Sequence, residues 1–284
     1  MDELKYIGSN DVMNKSQTNF IFSSMLLPKE KRADLNTIYA FCRKTDDLVD
    51  EENYSGEEKK AKLDKWKNEL IKSFESESDY KLLIELRTVK EKYNISETLF
   101  FDLIKGMQLD LVKNRYKSFE ELYQYCYYVA STVGLMTINL FGYSNNKSID
   151  FAINLGIALQ LTNILRDIKT DAVAGRIYLP LDDIIKFGYS EEKLMANVYD
   201  DNFKSLMIFE VKRAKEYYNL ALKYLPEEDK KNMIPALIME KTYYKILKKL
   251  EKKKYNIFKY NISVSKIYKI YLAFFVILKY RVFK

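Results

Sequence analysis

Apolar residues recur at helical spacing along most of the chain. Positions three and four apart carry Leu, Ile, Val, Phe or Met, and charged residues fill the remaining arc. The pattern predicts helices over roughly 30–52, 56–75, 80–93, 96–114, 118–142, 147–172, 190–224 and 228–254, with one more toward the end. No run alternates apolar and polar strongly enough for a strand. Pro28 precedes the first strong helix. Ser118, with Glu121 three residues later, reads as an N-cap. Gly142 and the polar SNN after it end one helix, and GRIYLP at 175–180 breaks another. There is no repeat, low-complexity block or Pro/Gly/Ser-rich linker. These features predict one all-α domain over residues 1–284, with a basic, aromatic tail at 255–284.

Composition narrows the chemistry. The 284 residues hold 8 Gly, 4 Pro, 2 Cys and no His, but 24 Tyr and 16 Phe. Few Gly and Pro disfavour sandwiches, barrels and Gly-rich nucleotide folds. Without His there is no His-based triad, no His general base and no usual catalytic zinc site. Cys42 and Cys126 cannot make a disulfide framework, and a reducing cytosol is expected. MDELKYIGSNDVMN lacks the apolar core of a signal peptide. No run of about 18 uncharged apolar residues occurs, so no membrane span is expected.

Charge is uneven. The chain carries +7 overall, yet Lys241–Lys284 holds 13 Lys or Arg against one acid, a local +12. The rest is therefore net acidic. The tail also contains ISVSKIYKIYLAFFVILKY, with aromatic and aliphatic residues among lysines. Two readings stay open: a helix packed on the body with a lysine-coated outer face, or a segment lying on an anionic membrane. No nucleic-acid partner is expected. The localisation this implies is cytoplasmic, peripheral to the inner face of the membrane.

Candidate chemistry lies on two helices. On a wheel of about 100° per residue, Gln160, Asn163, Asp167 and Asp171 share an arc of about 80°. Gly156 falls on the same stripe and would leave room there for something bulky. In the earlier helix, Tyr39, Arg43, Asp46 and Asp50 share a face, with Asp47 on its flank. Carboxylates are hard ligands suited to Mg²⁺, which takes the rest of its shell from water and substrate phosphates. Crowded aspartates repel unless cations neutralise them. Arg43 and Arg166 add donors for phosphate oxygens. The combination reads as a Mg²⁺–diphosphate site, with Mn²⁺ as a substitute ion. A lone D-x-x-x-D is often an ordinary solvated face; the second stripe is what raises the reading above that.

DDLVD at 46–50 and NILRDIKTD at 163–171 resemble the two aspartate-rich motifs of the squalene/phytoene synthase family. YAFCRKTDDLVDE, GMQLDL, FEELYQYCYYVASTVGLM, ALQLTNILRDIKTDAVAGRIYLP and the run from IMEKTYYKILKKLE onward extend the resemblance over about residues 14–272. It implies an isoprenoid synthase fold with the motifs facing across a central cavity. It also implies a transferase that joins two allylic prenyl diphosphates head to head through a cyclopropylcarbinyl diphosphate. Asp46, Asp47, Asp50, Asn163, Asp167 and Asp171 would hold the metal. Tyr125 and Tyr243 would be pocket tyrosines acting in catalysis with the aspartates. Arg43, Arg166, Arg176, Tyr178, Gln160 and Asp110 would bind or support the substrate. A short Ser-[Lys/Arg]-[Ser/Thr]-Phe element near the family's N-terminus becomes KSQTNFIFSSMLLP here. Asn19 and Phe20 fall at its end, and the basic residue is missing.

The C20 branch, which joins two geranylgeranyl diphosphates for carotenoid biosynthesis, is favoured. The alternative is a branch that joins two farnesyl diphosphates to presqualene diphosphate or squalene. NADPH would enter only in a squalene-forming member, and no Gly-rich dinucleotide motif is present. The YCYYVASTVG and GRIYLP elements speak against an intramolecular terpene cyclase. A non-catalytic, membrane-associated helical scaffold would have no need of both acidic motifs.

Overall fold

The structure, a computed structural model, describes residues 3–15, 27–51 and 53–282. Among these every regular element is helical, and one isolated bridge joins Arg115 to Ile177. After the short α1 (Ser9–Lys15) comes α2 (Lys29–Asp50), which starts directly behind Pro28. Next is α3 (Gly56–Phe74), opened by a reciprocal capping box in which Ser55 and Glu58 bond each other's backbone N–H. Then follow α4 (Lys81–Lys92) and α5 (Glu97–Val112). α6 (Phe119–Cys126) runs through a π-helical turn, Tyr127–Ser131, into α7 (Thr132–Phe141). Gly142, at φ 83°, ends α7. α8 (Lys147–Val173) is the longest element.

Beyond it lie the short α9 (Leu181–Lys186) and α10 (Glu191–Met195), then α11 (Asp201–Tyr224), α12 (Ile234–Lys252) and α13 (Lys266–Ile277). The pattern predicts one helix over 190–224, but Asn197 takes φ 55° and Asp200 caps a fresh start by accepting from Phe203 N–H at 2.8 Å. Ser118 does accept from Glu121 N–H, yet the Glu121 carboxylate turns to Lys117 N–H and Lys113, so the box is not reciprocal.

Two helices organise the packing. α2 packs against α1, α3, α4, α5 and α7, and buries Leu35, Ile38, Phe41, Leu48 and Val49. α8 packs against α7, the π-turn, α11 and α12. The buried apolar side chains of all these helices form one contiguous cluster. α8 is the one helix among the described residues long and apolar enough to cross a bilayer by length and composition. Most of that stretch is buried inside the fold, where a helix apolar nearly all round belongs.

The sequence places Gly156 on the polar stripe as a source of space. The structure puts it on the wall of an apolar channel and gives it a second job. A Cβ there would lie 2.6 Å from Ser131 Cα and 2.9 Å from Ala130 C, so α8 and the π-turn touch backbone to backbone. Ser131 Oγ reinforces this by donating to Ile153 C=O at 2.8 Å. The π-turn thus sits wedged between α5 and α8, the two helices that flank the cavity on this side.

Candidate active site

The inner faces of α2 and α8 look onto a shared cavity of about 510 Å³. From α2 come Tyr39, Arg43, Asp46 and Asp50, and from α8 come Gln160, Asn163, Arg166, Asp167 and Asp171. The wall between them is built by Asp110 of α5, Tyr125 of α6, and Val129 and Val133 around the π-turn. Residues four apart lie closer to one line in a π-turn than in an α-helix, which helps Tyr125, Val129 and Val133 share this wall. Arg176 and Tyr178, just past α8, complete it. Gly175, at φ 75°, makes the reversal that brings them back.

Each arginine already holds a carboxylate. Arg43 Nη1 lies 3.2 Å from Asp46 Oδ2 and Nη2 lies 2.7 Å from Asp47 Oδ1. Arg166 grips Asp167 with two bonds, Nε–Oδ1 at 2.7 Å and Nη2–Oδ2 at 2.5 Å. Arg176 Nη1 reaches Asp50 Oδ1 at 3.3 Å, linking the loop after α8 to α2. Asp110 accepts both tyrosine hydroxyls, from Tyr125 at 2.8 Å and Tyr178 at 2.9 Å. The Tyr125 and Tyr178 rings stack at a centroid distance of 5.2 Å.

The crowding has an electrostatic signature. Burial, then the neighbouring Asp50, pushes Asp46 up to about 7. Burial, then Asp167, pushes Asp171 up to about 7. Burial also raises Asp110, to about 6, against the pull of its two tyrosine hydrogen bonds. Cys42 lines the cavity too, but burial and Asp46 push its thiol up to about 12, which removes it as a nucleophile.

The donor set suits a hard divalent ion. Asp46, Asp50, Asn163, Asp167 and Asp171 all offer oxygen, and Asn163 Oδ1 is buried without a hydrogen-bond partner. Such an orphaned acceptor is costly unless something fills it. Among the described residues no three acidic or Cys side chains converge into a ready-made cage.

Of the residues singled out from sequence, thirteen are brought together here: twelve on the cavity wall, with Tyr243 of α12 in an adjoining apolar channel of about 210 Å³. Tyr243 stands close enough to Arg166 to support its charge. The channel shares Val129, Val133, Gln160 and Asn163 with the cavity and is also lined by Phe141 and Phe151. Asp47 stands off the wall, its carboxylate taken by Arg43 and its carbonyl by Glu51 N–H. Asn19 and Phe20 lie outside the described residues. Tyr39, on the acidic face of α2, and Cys42, four residues before Asp46, also line the cavity. Both follow from the wheel that located the aspartates.

The chain matches the family model for squalene/phytoene synthase over residues 13–268. It is 36% identical to 15-cis-phytoene synthase of Synechococcus elongatus, over 84% of this chain and 82% of that protein. It is also 36% identical to the chloroplastic phytoene synthase 2 of Solanum lycopersicum, over 92% of this chain and 86% of that one. A dehydrosqualene synthase crystal structure superposes with a TM-score of 0.83 at 28% identity, covering 94% of this chain and 93% of the other. Squalene synthase HpnC from Alicyclobacillus acidocaldarius gives 0.80 at 26% identity, covering 87% and 93%. The chain therefore belongs to the squalene/phytoene synthase family. Its members are prenyltransferase-type enzymes with this all-α fold.

Proposed function

We propose that the protein condenses two geranylgeranyl diphosphates head to head to form phytoene, a step of carotenoid biosynthesis. The observation that carries this reading is the junction of an acid-and-arginine cavity with an apolar channel. The cavity suits diphosphates and the channel suits a hydrocarbon tail. Between Asn163 and Phe151 the channel follows α8 for twelve residues, about 18 Å at 1.5 Å per residue. Such a depth favours a long tail. Relatives at 36% identity over most of the chain bear the name phytoene synthase.

Mg²⁺, held by Asp46, Asp50, Asn163, Asp167 and Asp171, would draw negative charge from a departing diphosphate as a Lewis acid. Arg43, Arg166 and Arg176 can exchange their carboxylate partners for phosphate oxygens and orient both substrates. The C1–O bond of the first substrate breaks, and the diphosphate leaves with the electron pair. The double bond of the second substrate attacks the allylic cation, and proton loss closes the cyclopropane. Departure of the second diphosphate and rearrangement give a cation that loses a proton to form the product. Tyr39, Tyr125 and Tyr178 line this space, and aromatic faces stabilise a cation without capturing it. Asp110 holds two of those rings in place. Leu103, Met107, Val129 and Val133 keep water from the cation. Substrates and product all carry long hydrocarbon chains, so the reaction also calls for a lipid surface beside the cavity.

The test is incubation with labelled geranylgeranyl and farnesyl diphosphates plus Mg²⁺, with and without NADPH, followed by product chromatography. Phytoene from the C20 substrate, independent of NADPH, is expected. Presqualene diphosphate or squalene formed from the C15 substrate at an equal or greater rate would overturn the chain-length assignment.

A further inference from the structure

The last helix has two apolar faces and, among the described residues, packs on a neighbouring helix through only one. Leu272 and Val276 of α13 point inward, and α13 packs on α12. On the opposite face Ile267, Ile270, Tyr271, Phe274 and Phe275 stand between 50% and 82% exposed. Their spacing of three, one, three and one residues puts them on one stripe about 140° wide. Single exposed apolar residues are ordinary, but a contiguous stripe of five large ones marks a surface that something covers.

We propose that this outward face of α13 docks on an anionic lipid bilayer. Charge selects the occupant. Lys241–Lys284 carries a local +12, and Lys266 and Lys279 stand exposed at either end of the stripe. A second copy of the chain would bring an equal positive field against the first, which like-charge repulsion opposes. An anionic headgroup layer attracts the same field. Length selects the mode. The twelve residues of α13 span about 18 Å, well short of the roughly 30 Å hydrocarbon core. The helix therefore lies along the interface, with its aliphatic and Phe side chains among the acyl chains and Tyr271 near the headgroups. α12, on which α13 rests, contributes Met239 and Tyr243 to the channel wall. The bilayer would thus lie one helix away from the hydrocarbon channel. This proposal goes beyond the assignment of substrate and does not depend on it.

The test is co-sedimentation of the full chain, without substrate, with vesicles of phosphatidylglycerol or of phosphatidylcholine at low and high salt. Wild type should bind phosphatidylglycerol vesicles, weakly in high salt, and phosphatidylcholine poorly. The variant Ile270→Ser/Phe274→Ser/Phe275→Ser should bind about 100-fold more weakly. It should melt like wild type and keep its turnover in detergent micelles. Lys266→Gln/Lys279→Gln should lose about tenfold, on phosphatidylglycerol alone. Wild-type binding retained by the serine variant would overturn the proposal, as would equal wild-type binding to both lipids or to neither. So would a wild-type dimer by light scattering that the serine substitutions dissolve, which would give the face to a second copy.

Discussion

The acid-lined cavity and the apolar channel share four residues and little else. In the cavity nearly every polar side chain is paired with another: Arg43 with Asp46, Arg166 with Asp167, Arg176 with Asp50, and Tyr125 and Tyr178 with Asp110. In the channel small and aliphatic residues such as Gly134, Ala152 and Ala236 leave space without polarity. The cavity acts through charge, so changes there should alter rate. The channel acts through volume, so changes there should alter which substrate fits. Gln160 and Asn163, on α8, belong to both.

The sharpest way to break this division is to delete a carboxylate. Asp46→Ala or Asp167→Ala should each cut turnover about 1,000-fold, equivalent to roughly 4 kcal/mol of lost charge stabilisation. Steady-state rates of purified variants would show it, with circular dichroism unchanged. Excess chelator should abolish wild-type activity, and full activity in chelator would remove the metal from the mechanism. Next in size is Gly156→Ala. Its new Cβ meets backbone rather than a flexible side-chain end, so overpacking should cost about 3 kcal/mol of stability, read from denaturant melts.

Filling the channel should act on selectivity. Ala236→Phe should lower turnover of the C20 substrate about tenfold relative to C15, within the 1–3 kcal/mol range of overpacking, while the Mg²⁺ dependence stays as in wild type. Competition assays with both diphosphates measure this directly.

A smaller effect concerns pH. Asp46 and Asp171 sit near 7 in the folded protein against an ordinary value of 3.8. Between those values the folded chain holds protons that the unfolded chain has released. Stability without divalent ions should therefore fall as pH rises from about 4 through 7. A Mg²⁺ ion held by these carboxylates would have to displace the same protons, so its stabilising effect should be larger at pH 8 than at pH 6. Thermal melts with chelator or Mg²⁺ at the two pH values test both signs. The smallest effect is expected of Asp47→Asn, which removes one surface partner of Arg43. About twofold in rate is consistent with the modest worth of exposed ion pairs.

Much of the cavity was legible because an α-helix repeats regularly. Placing Gln160, Asn163, Asp167 and Asp171 on one arc needed only the 100° step, and all four line the same wall. The same step put Asp47 on the flank, where the structure keeps it. The step fails where the helix is not α. Nothing in YCYYVASTVG marks the wider turn at Tyr127–Ser131, and with it went the reason for Gly156, whose partner is backbone 25 residues earlier. The break at Asn197 did carry a signal, an Asn able to take positive φ followed by a capping Asp. It was masked by helical periodicity on both sides. LDDIIK at 181–186 is too short for periodicity to register.

The pairing of Arg176 with Asp50 has a consequence for how the enzyme waits between turnovers. Each acidic wall carries its own stand-in cation on a side chain. Without one, two facing rows of aspartate would push the walls apart whenever ions and substrate were absent. With one, part of that charge is neutralised without a divalent ion, and on the proposed function an ion–diphosphate pair would enter by exchange. Phosphate oxygens would take the guanidinium, which would leave the carboxylate free to hold the ion. Net charge in the cleft would change little, so neither wall would have to recoil. Once diphosphate and ions had left, the side chains would fall back on each other and reset the cleft for the next pair.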